Sequence, residues 1–182
     1  MAEWEDRDII EGMKTPGKEE AAFSHLVEKY QERLYWHIRK IVVDHEDTDD
    51  VLQNTFLKIW KSLSDFRSDS KLFTWLYRIA TNEALSFLKQ KRRKSFTLLD
   101  DTENKLAEQL ESDPYFDGDE IQLKLQQSIL KLPEKQRVVF NMKYFDGLKY
   151  EEMAEILGTS VGALKASYHH AVKKIENMLR KD

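Results

Sequence analysis

Along most of this chain, apolar residues recur at three- and four-residue steps, the period of one face of an α-helix. Phe23, Leu26, Val27, Tyr30, Leu34, Ile38 and Ile41 draw such a stripe and predict a helix over Glu19–Val43. Trp4, Ile9, Ile10 and Met13 predict a short amphipathic helix before it. Asp47 suits an N-cap, which puts Asp49 and Asp50 in the first turn, where carboxylates meet the positive end of the helix dipole. That third helix continues through Val51, Leu52, Phe56, Ile59 and Trp60. Asp65 to Ser70 reads as a loop, and Ser70 as the cap of a helix running from Lys71 to about Lys91.

From Ser95 to Asp119 the periodicity fades, and Asp113-Pro114 and Asp117-Gly118 are turn dipeptides. Only Lys105 to Leu110 keeps a pattern that suits a brief helix. Helical spacing returns at Ile121, Leu125, Ile129 and Leu132. Pro133 sits where a first-turn proline is tolerated, opening a helix through Val138, Val139 and Met142. After an Asp146-Gly147 turn, Tyr150–Leu157, Gly158-Thr159-Ser160 and Val161 to about Leu179 have helix-turn-helix form. Gly158 suits the left-handed position that ends the first helix, and Ser160 suits the N-cap of the second. Met153, Ala154 and Leu157 are expected to face Leu164, Tyr168, Ala171 and Ile175. Lys165, His169 and Lys173 are left on the opposite face, beside Ala166 and His170.

Composition narrows the class. Six glycines and three prolines among 182 residues offer few tight turns, which disfavours an all-β fold. The class is all-α. The longest stretch free of Asp, Glu, Lys and Arg, Ile156 to Leu164, is far too short for a membrane span. The acidic N-terminus lacks the pattern of a signal peptide, so a cytoplasmic location without membrane insertion is expected. The absence of cysteine excludes disulfide scaffolds, thiolate zinc sites and thiol catalysis.

A net charge of −4 conceals a strong asymmetry. Residues 1–94 balance their charges, residues 95–120 carry nine acids against Lys105, and residues 121–182 are net basic. This pattern divides the chain into a domain over 1–94, an acidic linker over 95–119 and a second domain over 120–182, which ends in the helix-turn-helix. A basic outer face on the second helix suits insertion in a major groove, although a helical hairpin with a solvated face has the same pattern. His169 and His170 diverge by about 100° on a helix and have no acid or cysteine at ligand spacing. Contact with a groove or phosphate therefore suits them better than metal.

The helix from Lys71 carries two stripes. Leu72, Leu76, Ile79, Ala80, Ala84, Phe87 and Leu88 suit a core. Thr74, Trp75, Arg78, Asn82 and Lys89 mix a large ring with polar and basic groups, and lead into Lys89-Gln90-Lys91-Arg92-Arg93-Lys94. Aromatic and basic residues on one face suit single-stranded nucleic acid, because bases stack on rings while cations follow phosphates. A core tryptophan beside a solvated basic run is the plainer alternative.

Three segments occur in an order that resembles a known family: Asp47-Thr-Asp-Asp-Val-Leu-Gln-Asn-Thr-Phe-Leu-Lys-Ile-Trp60, Phe73-Thr-Trp-Leu-Tyr-Arg-Ile-Ala-Thr-Asn82, and Leu132-Pro-Glu-Lys-Gln-Arg137 with Tyr150-Glu-Glu-Met-Ala-Glu-Ile-Leu-Gly158. Together they resemble the extracytoplasmic-function (ECF) group of bacterial sigma factors over about residues 20–94 and 120–180. The resemblance implies sigma domains two and four, no catalysis and no cofactor or metal. It implies core RNA polymerase and promoter DNA as partners, duplex at the −35 element and melted at the −10 element, and admits an anti-sigma factor as a third.

By that resemblance, Asp47, Asp49, Asp50, Leu52, Gln53 and Phe56 meet the polymerase. Arg67, Ser70, Lys71, Thr74, Trp75, Arg78, Asn82, Lys89, Arg92 and Arg93 meet the −10 element. Lys143, Ser160, Lys165, Ala166, His169, His170 and Lys173 meet the −35 element. The chain departs from the family where Lys149 replaces a Ser or Thr cap and where Ala163, Ala166 and His170 replace common polar or basic groups. A helix-turn-helix regulator with an N-terminal sensing domain is the competing reading. A helical enzyme is disfavoured, because no paired carboxylates, HExxH or Gly-rich phosphate loop appears. The acidic linker suits a channel built for nucleic acid, and equally a solvated tether.

Overall fold

In a computed structural model, residues 3–94 and 118–181 form eight α-helices and no strand among the described residues. They are α1 (Asp6–Met13), α2 (Glu19–Val42), α3 (His45–Ser62), α4 (Leu72–Lys94), α5 (Glu120–Leu130), α6 (Glu134–Tyr144), α7 (Tyr150–Leu157) and α8 (Val161–Lys181). A 3-10 turn, Leu63–Asp65, follows α3. The suggested helix at Lys105–Leu110, like most of the acidic linker, lies outside the described residues.

Local chemistry sets the helix ends. Asp44 rather than Asp47 caps α3, its carboxylate accepting the Asp47 N–H at 2.9 Å. The helix therefore starts three residues earlier, and Asp47 falls in its first turn. Lys71 rather than Ser70 holds the cap position of α4, since the Trp75 N–H donates to the Lys71 carbonyl at 3.2 Å. Pro133 stands one place before α6 instead of in its first turn. Val43 ends α2 with φ of 74°, a positive value uncommon for a β-branched residue. This tight corner sends the chain directly into α3.

One hydrophobic core runs through both halves of the chain. Leu26, Leu34, Ile38, Ile59, Leu76 and Ala80 from α2, α3 and α4 share it with Val138, Met142, Met153 and Leu164 from the C-terminal helices. A smaller cluster joins Ile129, Leu132 and Phe140 to Ala171 and Ile175. The last two residues therefore pack on α5 and α6 rather than on α7, because α7 is only eight residues long and spans one end of α8. Leu164 and Met153 share the larger core, in line with the spacing. Helix α4 ends up flanked by α2, α3 and α7.

Candidate nucleic-acid interface

The turn between α7 and α8 forms for the reasons its residues suggest. Gly158 adopts φ of 64° and Ser160 Oγ accepts the Ala163 N–H at 3.2 Å. Lys149 supplies no cap with its side chain; its N–H instead donates to the Glu152 carboxylate at 3.0 Å. Lys165, Ala166, His169, His170 and Lys173 all lie exposed on the outer face of α8. The His169 and His170 rings stand 6.1 Å apart and tilted. Among the described residues no group of His, Cys, Asp or Glu is placed to hold a metal. Lys143 is held back: its Nζ donates to the Leu148 carbonyl at 3.1 Å and lies 4.5 Å from the Tyr150 ring centre.

On α4 the expected stripe is only partly open. Arg78, Asn82, Lys89, Arg92 and Arg93 are exposed, as are Arg67 and Lys71, while Ser70 and Trp75 are half-buried. Thr74 is 3% exposed, which corrects its placement on the open stripe. With neighbours on three sides of α4, its exposed strip narrows to Arg78 and Asn82 at mid-helix. Trp75 leans on Phe66 at 5.1 Å between ring centres. Beside them opens a cavity of about 440 Å³ lined by Arg67, Ser70, Trp75 and Arg78. That volume falls within the usual range for small-molecule sites, and the ring, the two guanidinium groups and the hydroxyl can stack and hydrogen-bond a nucleobase.

The acidic face of α3 is a third surface, joined to the basic end of α4 at Asp47. Asp49, Asp50 and Gln53 are exposed, while Leu52 and Phe56 are half-buried and Phe56 meets the edge of Phe23 at 6.3 Å. Asp47 Oδ2 is 2.5 Å from Lys91 Nζ, and Asp49 lies 3.5 Å from His45. Leu57 and Trp60 extend this face as exposed apolar residues, 52% and 40% accessible. Leu57 lies outside the residues expected from the sequence, although its place one turn after Gln53 is a legible signal.

Burial pushes the Tyr77 hydroxyl up to about 12, aided by the nearby Asp146 charge. It remains a neutral packing group on the buried side of α4.

Two exposed cationic faces, one next to an aromatic cavity and one on the second helix of a helix-turn-helix, define an all-helical DNA-binding protein. Residues 26–94 match Sigma-70 region 2, and residues 122–175 match Sigma-70, region 4. The RNA polymerase sigma-H factor of Pseudomonas aeruginosa is 31% identical over 99% of this chain and 96% of its own length. The ECF RNA polymerase sigma-E factor of Haemophilus influenzae is 30% identical over 96% of this chain and 95% of its own. The structure of CnrH in complex with the cytosolic domain of CnrY is similar at a TM-score of 0.69 and 25% identity, covering 97% of this chain and 98% of that one. A likeness of fold also extends to the sigma factor RpoE in complex with the anti-sigma factor NepR from Bartonella quintana, at a TM-score of 0.68 and 20% identity, over 88% of this chain and 98% of that one.

The chain belongs to the ECF group of RNA polymerase sigma factors in the sigma-70 family. Sigma factors are non-catalytic DNA-binding transcription factors that act with core RNA polymerase on promoter DNA.

Proposed function

We propose that this sigma factor docks core polymerase on the Asp47–Phe56 face of α3. It reads the duplex −35 element with the outer face of α8 and holds the melted −10 strand along α4 at the Trp75 cavity. The observation that carries this reading is the pairing of two unlike cationic faces on one chain. A bare helical face fits a groove, whereas an aromatic cavity edged by Arg67 and Arg78 fits a base taken out of the stack. The working units are residues 1–94 and 120–182, with residues 95–119 as an acidic linker between them. The chain adds no catalysis of its own, and it acts in the cytoplasm, where polymerase and promoters are found. An anti-sigma factor is its third partner.

Paired and pre-melted promoters separate the two readers. Asn82→Ala and Arg78→Ala should depress opening of a fully paired promoter and recover in part on a template with an unpaired −10 region, as read by permanganate reactivity. Lys165→Ala should weaken duplex affinity on both templates alike. Equal rescue of Lys165→Ala and Asn82→Ala would refute the division of labour.

A further inference from the structure

The two halves of the chain meet where α7 packs on α4 and again at the last turn of α2. Asp146, in the turn after α6, places Oδ1 2.6 Å from Lys40 Nζ and Oδ2 3.3 Å from His37 Nδ1. His37 is only 2% exposed. Its Nε2 is 2.7 Å from Thr81 Oγ1 on α4, and its ring lies 4.4 Å from Tyr77. One carboxylate thus ties the C-terminal helices to α2 directly and to α4 through the imidazole. Burial alone would raise the Asp146 carboxyl, but the hydrogen bonds and charges of His37 and Lys40 outweigh it and hold the group below the usual carboxylate range.

A second set of contacts converges on the same turn. Arg137 donates to the Ile41 carbonyl at 3.3 Å, and Asn141 donates to the Lys40 carbonyl at 3.4 Å. Both carbonyls belong to the last turn of α2, which no intrahelical N–H can satisfy. The C-terminal half of the chain therefore caps a helix of the N-terminal half. Arg137 is 6% exposed, and burial lowers its pKa, so this guanidinium resides inside the joint rather than in solvent.

This closure covers part of the face assigned to the melted strand. Glu152 on α7 stands 3.8 Å from Lys71, and Glu134 at the start of α6 pairs with Arg92. Thr74, one turn along α4 from Lys71, is buried. Carboxylates of the C-terminal half occupy positions beside bases that a nucleic-acid backbone would otherwise meet.

We propose that Asp146 is a latch: by bridging Lys40 and His37 it holds the two halves closed, and in that state α6 and α7 occlude part of the single-strand face of α4. The occlusion rests on the reading of α4 given above, whereas the latch does not. Release of Asp146 frees Lys71 and Arg92 for phosphate and lets the halves part.

The absence of cysteine allows two spin labels to be placed without ambiguity, through Glu28→Cys on α2 and Glu176→Cys on α8, both exposed. In the full chain, electron–electron resonance should give one narrow short distance. Asp146→Ala should add a longer population. Lys40→Met, at a side chain 25% exposed, should do the same with helicity by circular dichroism unchanged. In parallel, affinity for a fluorescent single-stranded −10 oligonucleotide should rise about tenfold in both variants, within the usual range of coupling between sites. Unchanged distances in both variants would overturn the latch. Longer distances with unchanged strand affinity would overturn the occlusion. Longer distances with no strand binding by any form would support the latch and sink the −10 assignment of α4.

Discussion

Lys91 Nζ lies 2.5 Å from Asp47 Oδ2, so the basic end of α4, the helix proposed to face DNA, is tied to the acid that begins the face proposed to dock polymerase. Lys91 is about half exposed and Asp47 about a fifth. Pairs this open contribute little, about 0–1 kcal/mol, and either partner can give way to an outside ligand. Lys91→Ala should therefore change stability to urea by less than about 1 kcal/mol. Asp50→Lys, at an exposed acid that makes no ion pair among the described residues, should abolish co-purification with core polymerase while helicity stays intact. Retained co-purification would remove α3 from the docking face.

Salt dependence distinguishes the cations of α8. Lys165 and Lys173 are both exposed on its outer face, Lys165 with its Nζ 5.7 Å from the Tyr150 ring centre. If either meets a phosphate, its replacement by Ala should lower the slope of log affinity against log salt by about 1, with little change in sequence preference. A variant that keeps the parental slope but binds variant −35 sequences more evenly would place that lysine at a base edge instead.

Gly12 tests how α1 sits. A Cβ there would stand 2.7 Å from Ala22 Cβ on α2 and 2.9 Å from the Trp4 ring. Crowding of this kind costs about 1–3 kcal/mol, against a helix-propensity gain of about 1 kcal/mol for Ala over Gly. Gly12→Ala should lower the melting temperature, with a net loss of about 1 kcal/mol. A raised melting temperature would show that α1 rides loosely on α2.

Acid should act through Asp146. Its folded pKa is depressed, so its contribution is fully present above the unfolded carboxyl value, near 3.9. That contribution fades as pH falls through the lower folded value. Urea unfolding of the parent and of Asp146→Asn should therefore differ by a constant amount near neutrality and converge below about pH 4. Curves that stay parallel into strong acid would show that the carboxylate charge contributes nothing to the joint.

The helix-turn-helix was legible because its signals are local. Gly158 and Ser160 each act within four residues of themselves, and the apolar steps of α2 and α4 state their own period. The cap of α3 was misplaced because two acids three residues apart both suit the position, and only the backbone shows that Asp44 reaches the Asp47 N–H. Thr74, Arg137 and Asn141 were harder. A polar residue on a helix reads as solvent-facing unless its partner is known, and Arg137 and Asn141 find theirs roughly a hundred residues earlier on α2. The packing of Ala171 and Ile175 on α5 and α6 escaped for a related reason: an apolar stripe declares that it will be covered, not by which helix.

Val43 and Asp44 are all that separate α2 from α3. Val43 holds a backbone conformation that most side chains avoid, and its N–H closes on the Arg39 carbonyl at 2.8 Å. On one side of this corner is the turn gripped by Arg137, Asn141 and Asp146; on the other begin the acids of the proposed docking face. There is no slack between them, because no loop is available to absorb a rotation. The two helices form a bent lever with its elbow at Val43, so a tilt imposed on one arm is transmitted to the other.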